Sequence, residues 1–175
     1  MKRALLIPVA TTLLIVVSGC NEASTEQTSK AANAAEQTQP NAWLLTSAPE
    51  GAVSITEAKV NGKEGDTMVI RGRIGGRKSP ISTESAVFTV VDLGLSYCGQ
   101  HEDDSCGTPW DYCCETPSTI TNNSATVQIV GEGIVNPNAA GLEALDEIIL
   151  VGTVGSRPTD QVFTIHATGV YLVNE

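Results

Sequence analysis

EGDTMVIRGRIGG, residues Glu64 to Gly76, reads as the strand on which the fold is built. Met68, Ile70, Gly72 and Ile74 share one face, and Arg71 and Arg73 share the other. This is the two-residue alternation of a half-buried β-strand. Gly72 interrupts the apolar face, and a glycine inside a strand marks a bulge, a bend or a close backbone approach. The strand is therefore expected to curve.

Five further runs rich in β-branched residues flank it: AVSITEAKV from Ala52, SAVFTVVDLG from Ser85, SATVQIVG from Ser124, DEIILVGTVG from Asp146 and QVFTIHATGVYLV from Gln161. Each is bounded by Gly, Pro, Asn or Asp, as strands are. In the last run Phe163, Ile165 and Ala167 alternate with Thr164, His166 and Thr168. One segment breaks the rhythm. NPNAAGLEALDE offers Asn138 as a helix N-cap and places Leu142 and Leu145 three apart, which predicts a short helix. The order strand, strand, strand, short helix, strand, strand resembles an OB-fold, a small five-stranded Greek-key barrel with a helix between strands three and four. A strand that opens the barrel and bends at a glycine, as at Gly72, is similar to OB-type domains. A β-sandwich of similar strand count is the alternative. RGRIGG, FTVVD and CGTPWDYCC together resemble planctomycete-type exported lipoproteins with an OB-like domain. That resemblance implies a location and a fold, with no activity attached.

The N-terminal end points to export. MKRALLIPVATTLLIVVSGC opens with Lys2 and Arg3 and continues in an apolar stretch that is short for a spanning helix. Val17, Ser18 and Gly19 before Cys20 resemble a bacterial lipoprotein lipobox. The resemblance implies cleavage before Cys20 and acylation of its thiol, with enough buried CH₂ for stable anchoring at about 0.8 kcal/mol each. Residues 1–19 are thus expected to be a signal peptide. Residues 20–46, rich in Ala, Thr, Gln, Glu and Ser, would be the lipidated cysteine and a flexible tether. Trp43, Leu44 and Leu45 are expected to pack on the domain that occupies residues 47–175. Asn21 after the cysteine favours the outer membrane, by the sorting pattern of enteric bacteria. An exported chain permits oxidised cysteines.

The chain has 175 residues, 41% of them hydrophobic and only 4% aromatic, so its core must be mainly Val, Ile, Leu and Ala. Its formal net charge is −10, and loss of Lys2 and Arg3 would leave 8 basic against 20 acidic residues. Such a chain is repelled by nucleic-acid phosphates and anionic lipid.

The chemistry-bearing segment is YCGQHEDDSCGTPWDYCC, Tyr97 to Cys114. It falls in an insert over 93–124, between the second and third predicted barrel strands and far too long for a hairpin. Three readings compete. Four cysteines in an exported domain suit two disulfides among Cys98, Cys106, Cys113 and Cys114, the preferred reading. Each bridge would contribute about 2–3 kcal/mol by loop entropy. Alternatively Cys98, His101, Cys106, Cys113 and Cys114 would hold zinc. Contiguous Cys113 and Cys114 argue against this, because neighbouring side chains of a strand diverge. The third reading, a reactive thiol centre, lacks a Cys-x-x-Cys motif. Trp110 and Tyr112 would give the insert a small core of its own, with Gly107 and Pro109 shaping its turn. Glu102, Asp103 and Asp104 read as a solvated acidic tip without the spacing of a calcium loop.

Elsewhere, Arg71, Arg73, Arg77 and Lys78 are four of the seven basic residues in the domain and are candidate anion contacts. A solvated hairpin end is the plainer reading. His166 is expected on the solvent face of the last strand. No catalytic residue is expected and no cofactor, zinc being the alternative. The functional expectation is a lipid-anchored, exported, non-catalytic binding or structural module. It would present the insert to an envelope protein, peptide or glycan. The alternatives are a metal- or thiol-dependent site in the insert and a nucleic-acid-binding OB domain.

Overall fold

In the computed structural model of the chain the described residues are 42–101, 103, 104, 106, 112–131, 134 and 136–173. The expected signal peptide, Cys20 and most of the tether lie outside them. The quoted stretch forms β2, Thr67–Ile74. It pairs antiparallel over its length with β5, Glu147–Val154, from Thr67↔Thr153 to Arg73↔Glu147. At its far end Arg73 and Ile74 also pair antiparallel with β3, Val87–Val91. β3 continues antiparallel onto β4, Ser124–Ile129, and β4 runs parallel to β6, Thr164–Leu172. β6 returns antiparallel to β5. The ring β2-β3-β4-β6-β5-β2 closes, giving a five-stranded mixed barrel of OB-fold type. Closure removes exposed strand edges and sets the sandwich alternative aside.

The alternation in the sequence puts the expected side chains inside. Ile70 and Ile74 of β2, Phe88 and Val90 of β3, Val127 and Ile129 of β4, Ile148 and Leu150 of β5, and Ile165 and Val170 of β6 form one buried core. Fully burying each such side chain is worth about 1.5–3 kcal/mol. His166 is exposed. Gly72 serves close approach: a Cβ there would lie 2.7 Å from Ile55 Cδ1 and 2.9 Å from the Val91 carbonyl oxygen. Trp43 is buried in the same core, and Leu45 N donates to Val170 O across 2.8 Å.

Two expectations are corrected. AVSITEAKV is not a strand throughout. Only β1, Val53–Ser54, is extended, parallel to β2; the chain then turns into helix α1, Ile55–Asn61. The Ser54 hydroxyl caps this helix by accepting from Glu57 N at 3.1 Å. Ile55, Ala58 and Lys59 form its buried stripe at helical spacing. The cap and the stripe outweigh the strand preference of Val and Ile. The expected short helix between the third and fourth barrel strands is present as a single 3-10 turn, Asn138–Ala140, stopped by Gly141 at φ 92°; the second correction concerns its cap. Asn138 is its first residue and not its cap; Asn136 Oδ1 accepts from Asn138 N at 2.9 Å. Leu142 is buried, whereas Leu145 sits apart at φ 74°.

Among the described residues no helix is long and apolar enough to cross a membrane.

Candidate functional site

The insert leaves the barrel at Asp92, just after β3, and returns through helix α2, Pro117–Asn122, directly before β4. Thr116 caps α2 by accepting from Thr119 N at 3.1 Å, and Pro117 begins it where a missing N–H costs nothing. Asp92 fixes the departure point. Its Oδ2 accepts from Thr56 N at 3.0 Å and Thr56 Oγ1 at 2.6 Å, and its Oδ1 accepts from Gly94 N at 2.9 Å. Burial alone would raise this carboxyl; the bonds from Thr56 and Gly94 outweigh burial and hold it below the ordinary aspartate value.

The insert folds back onto the barrel. Val91, Leu95 and Tyr112 form a second buried cluster, with Tyr97, Ile120 and Leu145 against it. Gly75 makes room for Tyr112, since a Cβ there would lie 2.7 Å from Tyr112 Cε2. The small core expected from Trp110 and Tyr112 is therefore present in its Tyr112 half, shared with the barrel wall. Trp110, Gly107, Pro109 and Glu102 lie outside the described residues. Asp104 ties the Cys98–Cys106 turn by accepting from Gly99 N at 2.6 Å and Cys106 N at 3.1 Å, which lowers its pKa.

Folding back gathers the thiols. Cys113 Sγ lies 2.9 Å from Cys98 Sγ and 3.2 Å from Cys106 Sγ. The Cys98, Cys113 and Cys114 sulfurs lie within 4.8 Å of one another. Cys113 and Cys114 converge because they occupy a turn rather than a strand, so the divergence argued from strand geometry does not operate. No described sulfur pair is at the bonded distance of about 2.05 Å. Around zinc, with Zn–S near 2.3 Å, tetrahedral sulfurs would stand roughly 3.8 Å apart. Cys98 is buried, and Cys113 and Cys114 are exposed. Contacts with Cys98 and then Cys106 push the Cys113 thiol up to about 12. His101 is exposed and lies outside the group of three mutually close thiols.

The basic run does not stay together. Arg71 forms an ion pair with Glu147. Arg73 places its guanidinium carbon 4.8 Å from the Tyr97 ring centre. Arg77 and Lys78 are exposed in the β2–β3 loop. Beside the insert, Arg73, Tyr97, Leu145, Asp146, Glu147 and Val173 line a polar cavity of about 240 Å³. Burial raises the Asp146 carboxyl there. Sequence reasoning missed this cavity and the Asp92–Thr56 link. The Ser-x-x-Glu pattern at Ser54 to Glu57 was an available signal for α1 and so for the helix end that Asp92 caps.

No family model matches the chain, and no curated relative does. Among solved structures it is similar to the hypothetical protein ygiW from E. coli, 12% identical over 71% of this chain and 94% of that one, with a TM-score of 0.38. An OBody, AM1L10, solved bound to hen egg-white lysozyme, is 13% identical over 74% of this chain and 100% of that one, with a TM-score of 0.41. Aspartyl tRNA synthetase from Entamoeba histolytica is 10% identical over 94% of this chain and only 29% of its own, with a TM-score of 0.44. The fold assignment rests on the strand pairing and its closure.

Proposed function

We propose that the chain is an exported, lipid-anchored binding or structural module of the cell envelope, without catalytic activity. Cys20 carries the anchor, the outer membrane is its site, and the cysteine insert is presented to an envelope protein, peptide or glycan. The observation that carries the reading is the packing of the insert. Tyr112 seats it on Gly75, and its sulfurs gather around Cys113. That packing supports a loop stapled onto the barrel wall. Cys113 reaches both Cys98 and Cys106, so two pairings serve a two-disulfide staple: Cys98–Cys113 with Cys106–Cys114, or Cys106–Cys113 with Cys98–Cys114. A net charge of −10 speaks against nucleic acid as the partner.

A metal site is the second reading, favoured by the convergence of Cys98, Cys113 and Cys114. Thiolates suit zinc, and its binding would release the thiol protons. Mass spectrometry under native and denaturing conditions, with alkylation before and after reduction, separates the two. A metal-free mass lighter by the four hydrogens that two disulfides remove, with no alkylation until reduction, supports the staple. Bound zinc lost on chelation supports the metal site. Metal-free thiols that alkylate at once would refute both.

A further inference from the structure

Beside α1, Thr56, Lys59, Val60, Asn122, Arg157 and Asp160 line a cavity of about 400 Å³. That size lies within the roughly 300–1,000 Å³ of small-molecule sites. Two of its residues are cations. Lys59 is only 8% exposed, and its ammonium donates to Thr121 O at 2.6 Å and Ser124 O at 3.2 Å. An ammonium has three protons; the third has no acceptor among the described residues. Arg157 donates to Gly62 O and lies with its guanidinium carbon 5.0 Å from the Phe163 ring centre.

Neither cation is paired with a carboxylate among the described residues, where Arg71–Glu147 is the ion pair formed. Asp160 lines the cavity yet stands outside pairing distance of both. A shortage of carboxylates is no explanation, since the chain has 20 acidic residues against 10 basic ones. Instead the two cations burden one another: burial first, and then the charge of Arg157, lower the Lys59 pKa. An anion between them would relieve that repulsion. Three of the lining side chains carry N–H donors, the Lys59 ammonium, the Arg157 guanidinium and the Asn122 amide. They match the several oxygens of a tetrahedral oxyanion better than the two of a carboxylate. Val60, 82% exposed, offers an apolar surface at the same cavity for whatever carries the oxyanion.

We propose that Lys59 and Arg157 form a binding site for a phosphate or sulfate ester. They would hold its oxyanion between them, with the organic part against Val60. The carrier is either a soluble ester such as a sugar phosphate or a lipid headgroup.

Calorimetric titration of the purified chain at constant sodium chloride tests this, with inorganic phosphate, inorganic sulfate and a hexose 6-phosphate against the plain hexose. The expected result is saturable 1:1 binding of the hexose 6-phosphate, tighter than inorganic phosphate, with none of the plain hexose. Arg157→Gln should weaken it by about tenfold. Asp160→Asn, which removes an exposed negative charge, should tighten it. Lys59→Met should also weaken it; should that variant fail to fold for want of its bonds to Thr121 and Ser124, the other two decide. Vesicles containing phosphatidic acid, against phosphatidylcholine alone, assign the source. Competition between vesicles and hexose 6-phosphate indicates a headgroup, and binding of the sugar phosphate only indicates a soluble ester. Absence of saturable binding to any probe, or binding indifferent to both Arg157→Gln and Asp160→Asn, overturns the proposal.

Discussion

Asp92 joins the two halves of the structure that the sequence separates. It sits where β3 ends and the insert begins, and it caps the first turn of α1. Its carboxylate accepts from Thr56 N, Thr56 Oγ1 and Gly94 N at 3.0, 2.6 and 2.9 Å. Thr56 N is one of the first-turn amides that a helix cannot satisfy internally, and a negative charge there also favours the helix dipole. Hydrogen bonds to a charged group contribute about 1.5–3 kcal/mol each and are not additive. Asp92→Ala, which removes all three and strands the Thr56 amide, should cost roughly 3–4 kcal/mol. Asp92→Asn keeps the shape but turns an amide N–H₂ towards a donor, and should cost about 1.5–2 kcal/mol. The readout is urea unfolding followed by tryptophan fluorescence, Trp43 being buried. The pH dependence carries a sign. Because the folded pKa is below the ordinary value of 3.8, the contribution is fully present above that value and is lost as pH falls through the folded pKa. The gap between wild type and Asp92→Asn should therefore be constant near neutrality and close below about pH 4. A gap unchanged down to pH 3, or an Asp92→Ala cost under about 1 kcal/mol, would refute the reasoning.

Three further outcomes are expected. Gly152→Ala should lower the urea midpoint by the equivalent of about 2–3 kcal/mol. Its Cβ would stand 2.5 Å from His166 O and 2.8 Å from Ala167 Cα, backbone atoms of β6 at the β5–β6 register shift. Gly75→Ala should loosen the insert while leaving the barrel folded, because the new methyl displaces Tyr112; faster proteolysis in the insert with an unchanged far-ultraviolet spectrum is the signature. Arg71→Ala should change stability by less than about 1 kcal/mol, since the Arg71 side chain of the pair with Glu147 is 50% exposed.

The barrel was legible because its information is local. Alternation at Met68 to Ile74 and at Phe163 to Thr168 names the inward faces without reference to partners, and Gly72 marks a close approach to Ile55 and Val91. AVSITEAKV misled because Val, Ile and Thr suit strands, while the deciding signal was a cap of two residues, Ser54 and Glu57. The Asn138 segment misled for a related reason. Gly141 stops the turn before Leu142 and Leu145 can share a helical face.

The sites were less legible because their geometry comes from closure. The basic run Arg71 to Lys78 is contiguous in sequence, yet the barrel gives Arg71 to Glu147 and Arg73 to Tyr97, and leaves Arg77 and Lys78 in a loop. Conversely, Lys59 and Arg157 carry no shared motif. They meet because α1 lies against the end of the barrel where β5 turns towards β6. Gly65 N donates to Val154 O at 2.9 Å, and Arg157 reaches Gly62 O across the same junction. The cysteines lie between these cases. Their number and spacing announced a cluster. Only the turn at Cys113 and Cys114, set by Tyr112 in its place over Gly75, decides that adjacent thiols face the same partner. The loop is held at both ends, by Asp92 where it leaves and by α2 where it returns, and Tyr112 seats it between them, so the Cys98–Cys113 approach depends on contacts spread over the barrel wall rather than on any one run of sequence.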